Sequence, residues 1–170
     1  METNKQINDL DKQHNRLNIS KYDFEMCINY LSETANVGEG SYAYEALWMM
    51  AIIAYARPFS YNEKDKDSKA AAKINPPQMN PEEENLHNKL IDCRNKIIAH
   101  SEIKYNPTST NMDTGIIFRK RACIWSTLQR FDHFLHKNTI IALAKKMLGH
   151  CHHTSADLIH EIKAGKQPLN

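Results

Sequence analysis

The stretch Asp92-Cys93-Arg94-Asn95-Lys96-Ile97-Ile98-Ala99-His100-Ser101 holds the residue types best suited to chemistry in this chain. Arginine is a fixed cation whose planar fork matches phosphate oxygens. Histidine gains or loses a proton near neutral pH. Asparagine offers both a donor and an acceptor. Arg94, Asn95 and His100 together can bind a phosphodiester, move a proton and stabilise an oxyanion, which makes them the candidate catalytic group. Lys96 adds a second positive charge for holding substrate. At about 100° per residue, Arg94 and His100 stand roughly 120° apart around a straight helix, so they do not share one narrow stripe. A second copy of the helix packed about a two-fold axis would bring both residue types into one cleft, so the catalytic reading fits a homodimer better than a monomer. Residue chemistry leaves a plainer alternative open. Arg94 can pair with Asp92 or Glu102, and His100 can cap a helix C-terminus, where its charge suits the helix dipole.

The elements that must position this segment read as helices. Asn80 is a good N-cap, Pro81 suits the first helical position, and Glu82, Glu83 and Glu84 meet the positive end of the dipole. Leu86, Leu90, Cys93 and Ile97 then form an apolar stripe, and the helix should end near 100–103, before Asn106-Pro107. Upstream, Ser20 is a good N-cap for an amphipathic helix over about 21–36, with Phe24, Cys27, Ile28, Leu31 and Ala35 at helical spacing. Ser41 can cap a second helix to about Arg57. Its run from Ala46 to Ala54 is apolar all round, which predicts a central helix covered on several sides. Pro58 disfavours helical geometry at Arg57. Residues 62–80 form a long polar connection with Pro76-Pro77, in which 68–74 has room for one or two helical turns. Residues 105–115 read as a loop, 115–118 as briefly extended, and 121–136 lean helical. A last helix starts at Asn138, with a break expected near Gly149 and a resumption over 155–164. The fold class is therefore all-α: a bundle of four to five helices over 20–165, preceded by a polar, Asn-rich arm over 1–19 that is loose or a short helix.

Other clusters weigh less. Arg57 ends the most apolar helix, where an unpaired charge is costly. It either pairs with a carboxylate, the more frequent outcome, or faces the same cleft as Arg94 and helps bind substrate. Phe118-Arg119-Lys120-Arg121 joins one aromatic to three cations; Arg119, Lys120 and Arg121 are candidate RNA-binding residues, with a solvated basic turn equally compatible. His150-Cys151-His152-His153 and His160 are metal-capable types. Adjacent histidines on a helix point apart, however, and no Cys/His pair supplies a zinc spacing, so no metal and no cofactor is expected. His133 and His136 can share a face, with an exposed, solvated turn beside Asp132 equally compatible. Trp48-Met49-Met50 reads as core.

Length and composition set the outer bounds. The chain has 170 residues, which suits one domain with a real core. Residues 1–115 carry 13 Lys/Arg against 17 Asp/Glu, while 116–170 carry 9 against 3, so the C-terminal third either faces a polyanion or simply carries a basic face that keeps a helix soluble. The polar Met1–Lys12 stretch lacks the apolar core of an export signal, and the longest apolar run is too short to span a bilayer. A cytoplasmic protein without membrane association is expected. Its four scattered cysteines, Cys27, Cys93, Cys123 and Cys151, should be reduced and mostly buried.

The order Arg94, polar Asn95, four residues, His100 resembles the Arg-X(4–6)-His motif of HEPN domains. The string Arg-Asn-Lys-Ile-Ile-Ala-His-Ser resembles the subset related to phage-abortive-infection proteins. About ten residues carry the likeness, and the helical layout, with two helices before the motif and at least one after, agrees with it. The resemblance implies a compact helical bundle that dimerises with its two motifs facing each other. It implies a metal-independent endoribonuclease of a defence or toxin–antitoxin system, with RNA as substrate and a cognate antitoxin as partner. Arg94 would contact the scissile phosphate, Asn95 would help position it, and His100 would transfer protons. The alternative it allows is a non-catalytic HEPN module that binds nucleotide, RNA or a protein. A third reading, from the residues alone, is a structural helical adaptor.

Overall fold

The computed structural model describes residues 2–39, 41–60, 73–95, 108–110, 117–119 and 136–165. The architecture is an all-α bundle. Its helices are α1 (Glu2–Glu33), α2 (Tyr42–Ala56), α3 (Pro81–Cys93) and α4 (Lys137–Gly165). Short 3-10 turns follow α1 at Thr34–Asn36 and α2 at Arg57–Phe59. Two three-residue strands, β1 (Thr108–Thr110) and β2 (Ile117–Arg119), pair antiparallel with Ser109 opposite Phe118. The extended stretch expected around 115–118 falls partly on β2, whereas β1 lies where a loop was expected. No helix among the described residues is long and apolar enough to cross a membrane.

The two long helices form the spine. Leu17, Phe24, Cys27 and Leu31 of α1 are buried, at spacings of three, four and seven residues that keep them on one face. On α4 the matching stripe is Ile140, Leu143, Ala144, Met147, Cys151, Leu158 and Ile162. Thr34 and Val37 share a cavity wall with His136 and Lys137, while Arg16 and Leu17 share one with His150 and Leu158. The end of α1 thus lies by the start of α4, and the two run antiparallel.

This packing changes two expectations. The arm expected over 1–19 is not separate, because α1 runs unbroken through 2–19. Leu17 reaches the core, Leu10 packs against it, and the Arg16 guanidinium donates to the Arg57 and Pro58 carbonyl oxygens at 3.0 and 3.2 Å. Ser20 is therefore no cap. It is buried within the helix, and its hydroxyl donates back to the Arg16 carbonyl at 2.8 Å. Nor does α4 break at Gly149. The buried stripe passes from Met147 to Cys151 without a change of face, and tertiary packing outweighs the propensity of one glycine.

α2 starts as its sequence predicts: Ser41 Oγ accepts from the Tyr44 amide at 3.2 Å. Its cover is one-sided, however. Trp48, Ala51, Ile52, Ala54, Tyr55 and Ala56 are buried, Ile53 is half-buried, and Met50 is 38% exposed. Arg57 keeps helical dihedrals (φ −59°, ψ −42°), so Pro58 ends the run by tightening it into a turn rather than by extending Arg57. Ile74 returns to this corner, buried, with its amide donating to the Pro58 carbonyl at 3.0 Å. It is not helical, and 68–72 lie outside the described residues, as do 121–135.

Cys27, Cys93 and Cys151 are buried free thiols on α1, α3 and α4, as expected for reduced core cysteines. Cys123 lies outside the described residues.

Candidate functional site

α3 is anchored at both ends before it reaches the motif. The Asn80 side chain accepts from the Glu83 amide, and Glu83 Oε2 accepts from the Asn80 amide, both at 2.9 Å, which is a complete capping box. Glu83 also takes the Lys146 ammonium of α4 at 2.6 Å. The hydrogen bond from Lys146, then that from the Asn80 amide, hold its carboxyl below the usual range. Leu86, Leu90 and Cys93 are buried as the stripe predicts. One more α3 residue joins the core: His87, whose Nδ1 lies 2.9 Å from the Tyr55 hydroxyl. Phe59 stands edge-on to the His87 ring at 4.6 Å. Burial pushes the imidazole below its ordinary pKa, and its ring nitrogen and the Tyr55 hydroxyl share one buried hydrogen bond.

This anchoring fixes where Arg94 and Asn95 emerge. The Arg94 amide still donates to the Leu90 and Ile91 carbonyls, and the chain then widens into a π-type turn over the two residues. Such turns re-aim side chains out of helical register. Both residues are half-buried. Arg94 Nη1 donates to Asn95 Oδ1 at 2.8 Å, so the neutral amide oxygen orients the fork without neutralising its charge. A guanidinium held in this way can meet phosphate oxygens with little further ordering.

Among the remaining candidates, Lys96, His100, Lys120 and Arg121 lie outside the described residues. Arg119 is the last residue of β2, in register with Thr108. Arg57 takes the first of its two expected roles: Nη1 donates to Asp23 Oδ1 of α1 at 2.7 Å. Asp23 is buried, and burial raises its carboxyl pKa against the opposing pull of Arg57 and Arg16.

Asp23 and His87 are the members of this inner polar cluster that residue chemistry did not single out. The signals were present. Asp23 sits between Ser20 and Cys27 on the buried stripe of α1, where a carboxylate demands a cation. Tyr55 sits in an apolar helix, where its hydroxyl demands a partner.

The histidine-rich turn of α4 is divided by helical geometry. Cys151 is buried, His150 half-buried, and His152, His153 and His160 exposed. No group of three His, Cys, Asp or Glu among the described residues could hold a metal ion.

Comparison of the chain with protein-family models, with curated proteins and with solved structures yields no match.

Proposed function

We propose that this protein is a homodimeric, metal-independent endoribonuclease of the HEPN kind, a toxin or defence effector acting in the cytoplasm. The observation that carries the reading is the Arg94–Asn95 pair. A cation oriented by a neutral amide leaves the end of a capped, core-anchored helix six positions before His100. In the reaction, the RNA 2′-oxygen attacks the adjacent phosphorus as its proton passes to neutral His100. Arg94 stabilises the charge that grows on the non-bridging oxygens. The bond to the 5′-oxygen breaks, and that oxygen leaves with a proton from water. The products are a 2′,3′-cyclic phosphate and a 5′-hydroxyl. RNA brings its own nucleophile, so this chemistry calls for no metal-activated water.

The test is RNA cleavage in EDTA, wild type beside His100→Ala. Wild type should leave cyclic-phosphate ends and spare DNA, which has no 2′-hydroxyl, while His100→Ala should be inactive yet folded. Cleavage by His100→Ala at the wild-type rate would overturn the mechanism. A folded wild type inactive on every RNA tried would favour a binding module.

A further inference from the structure

α4 carries four lysines and four histidines against two acids, Asp157 and Glu161. Its apolar stripe is turned into the core, and the opposite face carries Lys145, His152, His153, His160 and Lys163, all exposed. At about 100° per residue, these five fall within an arc of roughly 100° opposite the buried stripe. Lys145, His152 and Lys163 are nearly in line, and at about 1.5 Å per residue their row is roughly 27 Å long. Asp157 and Glu161 stand about 120° or more around the helix from that row. Lys146, at the edge of the face, is paired with Glu83. Among the described residues, none of the five enters a hydrogen bond or an ion pair.

We infer that this face of α4 is a track for the phosphate backbone of single-stranded RNA, with Lys145 and Lys163 as fixed contacts and His152, His153 and His160 as contacts added in mild acid. The choice of RNA rests on the nuclease reading above; the track itself involves none of the residues proposed to cleave. Three features carry the inference. First, the charges repeat along a line, as backbone phosphates do, and each phosphate neutralised releases counterions. Second, the two lysines are without partners among the described residues, so no internal ion pair must break before RNA binds. Third, the face suits a backbone rather than bases or a membrane. α4 has no Phe, Tyr or Trp on which a base could stack. Its apolar stripe, buried in the core, cannot enter a lipid surface. Histidine adds charge only when protonated, so the track strengthens in mild acid. The other charges around these imidazoles are Asp157, four residues after His153 and three before His160, Glu161 beside His160, and Lys21 of α1, which acts on the Cys151 thiol.

The test is fluorescence anisotropy of the full chain with a labelled 2′-O-methyl RNA strand. Its blocked 2′-oxygen cannot attack, so binding is read whether or not the protein cleaves RNA. Wild type should bind more tightly at pH 6.0 than at pH 7.5. The fall of log affinity with log salt should steepen by about 0.7 for each histidine that joins. Lys145→Glu changes an exposed residue, so the fold should survive, and affinity should drop about tenfold at both pH values. Changing His152, His153 and His160 together to Gln should leave binding at pH 7.5 unchanged and abolish the gain at pH 6.0. Lys12→Glu makes the same change of net charge on α1 and should bind as wild type does. The track is overturned if the RNA does not bind, if Lys145→Glu and Lys12→Glu behave alike, or if the triple histidine variant keeps the gain in acid. It is equally overturned if a DNA strand of the same sequence, a polyglutamate peptide or phosphatidylserine vesicles bind more tightly than the RNA. Binding as expected, beside natural RNA left intact, would uphold the track and count against the nuclease mechanism alone.

Discussion

Replacing Arg57 with methionine should destabilise this fold more than replacing Asp23 with asparagine, although both changes remove the same ion pair. The asymmetry comes from burial: the Asp23 side chain is 1% exposed and that of Arg57 is 42% exposed. Removal of one partner from a fully buried pair costs about 3–5 kcal/mol, because the remaining charge is stranded. Here water already reaches Arg57, and the charge of Arg16 still acts on Asp23. The cost of Arg57→Met should therefore be nearer ~2–3 kcal/mol, which lowers the melting temperature of a chain this size by roughly 4–12 °C. Asp23→Asn strands no charge in the core and leaves a hydrated arginine, so its cost should be about 1 kcal/mol. The double variant should be more stable than Arg57→Met alone.

Acid adds an independent check. Burial already raises the Asp23 carboxyl, and Arg57 is the first of the charges that pull it down. Without Arg57 the folded-state pKa rises further. A group with a raised folded pKa contributes stability below that pKa and loses it as pH increases through it. The gap between wild type and Arg57→Met should therefore narrow as pH falls from 7.5 towards 5. Urea unfolding at the two pH values measures this. A gap that widens in acid, or an Asp23→Asn variant less stable than Arg57→Met, would refute the reasoning.

Gly149→Ala should stabilise the protein by ~0.5–1 kcal/mol, read as a higher urea midpoint at constant slope, because the glycine is helical and a Cβ there meets nothing within 4 Å. His87 is held neutral by burial, so the unfolded state binds its proton first and stability should decline as pH falls below about 6.5. Its share is at most about 1.4 kcal/mol per pH unit, and His87→Phe should remove that share of the slope while costing the Tyr55 hydroxyl its partner at every pH. Arg94→Lys should lose most RNA cleavage with unchanged melting, since an ammonium cannot keep both a fork on phosphate and the bond to Asn95.

The residues explain which parts of this fold could be read in advance. α2 and α3 announce themselves through strong local chemistry: Ser41 caps one, and Asn80, Pro81 and the three glutamates start the other. Local and tertiary preferences agree there. The first half of α1 has no such marker. Its helix is held by distant partners, Leu17 in the core and Arg16 on the carbonyls of Arg57 and Pro58, which no window of a dozen residues reveals. Gly149 misleads for the same reason. Within the motif, the residue types of Arg94 and Asn95 were legible but their mutual bond was not, because it depends on the widened turn after Cys93. The pocket that Arg16, Lys73 and His150 line was illegible, since these three are up to 134 positions apart and meet only when α1 and α4 align.

The three cysteines among the described residues, all buried, make this protein its own unfolding reporter. Burial pushes the Cys27 and Cys93 thiols up to about 12 and that of Cys151 to about 11. The reactive thiolate is therefore both scarce and shielded, and an alkylating reagent must wait for the chain to open. Each thiol samples a different helix, so mass-resolved labelling of the untagged protein reads three openings at once. Cys27 and Cys151 share the long α1–α4 seam and should label together, near the rate of global unfolding. Cys93, at the end of the shorter α3, should label earlier, and its lead over the other two measures how readily the helix that carries Arg94 comes away from the spine.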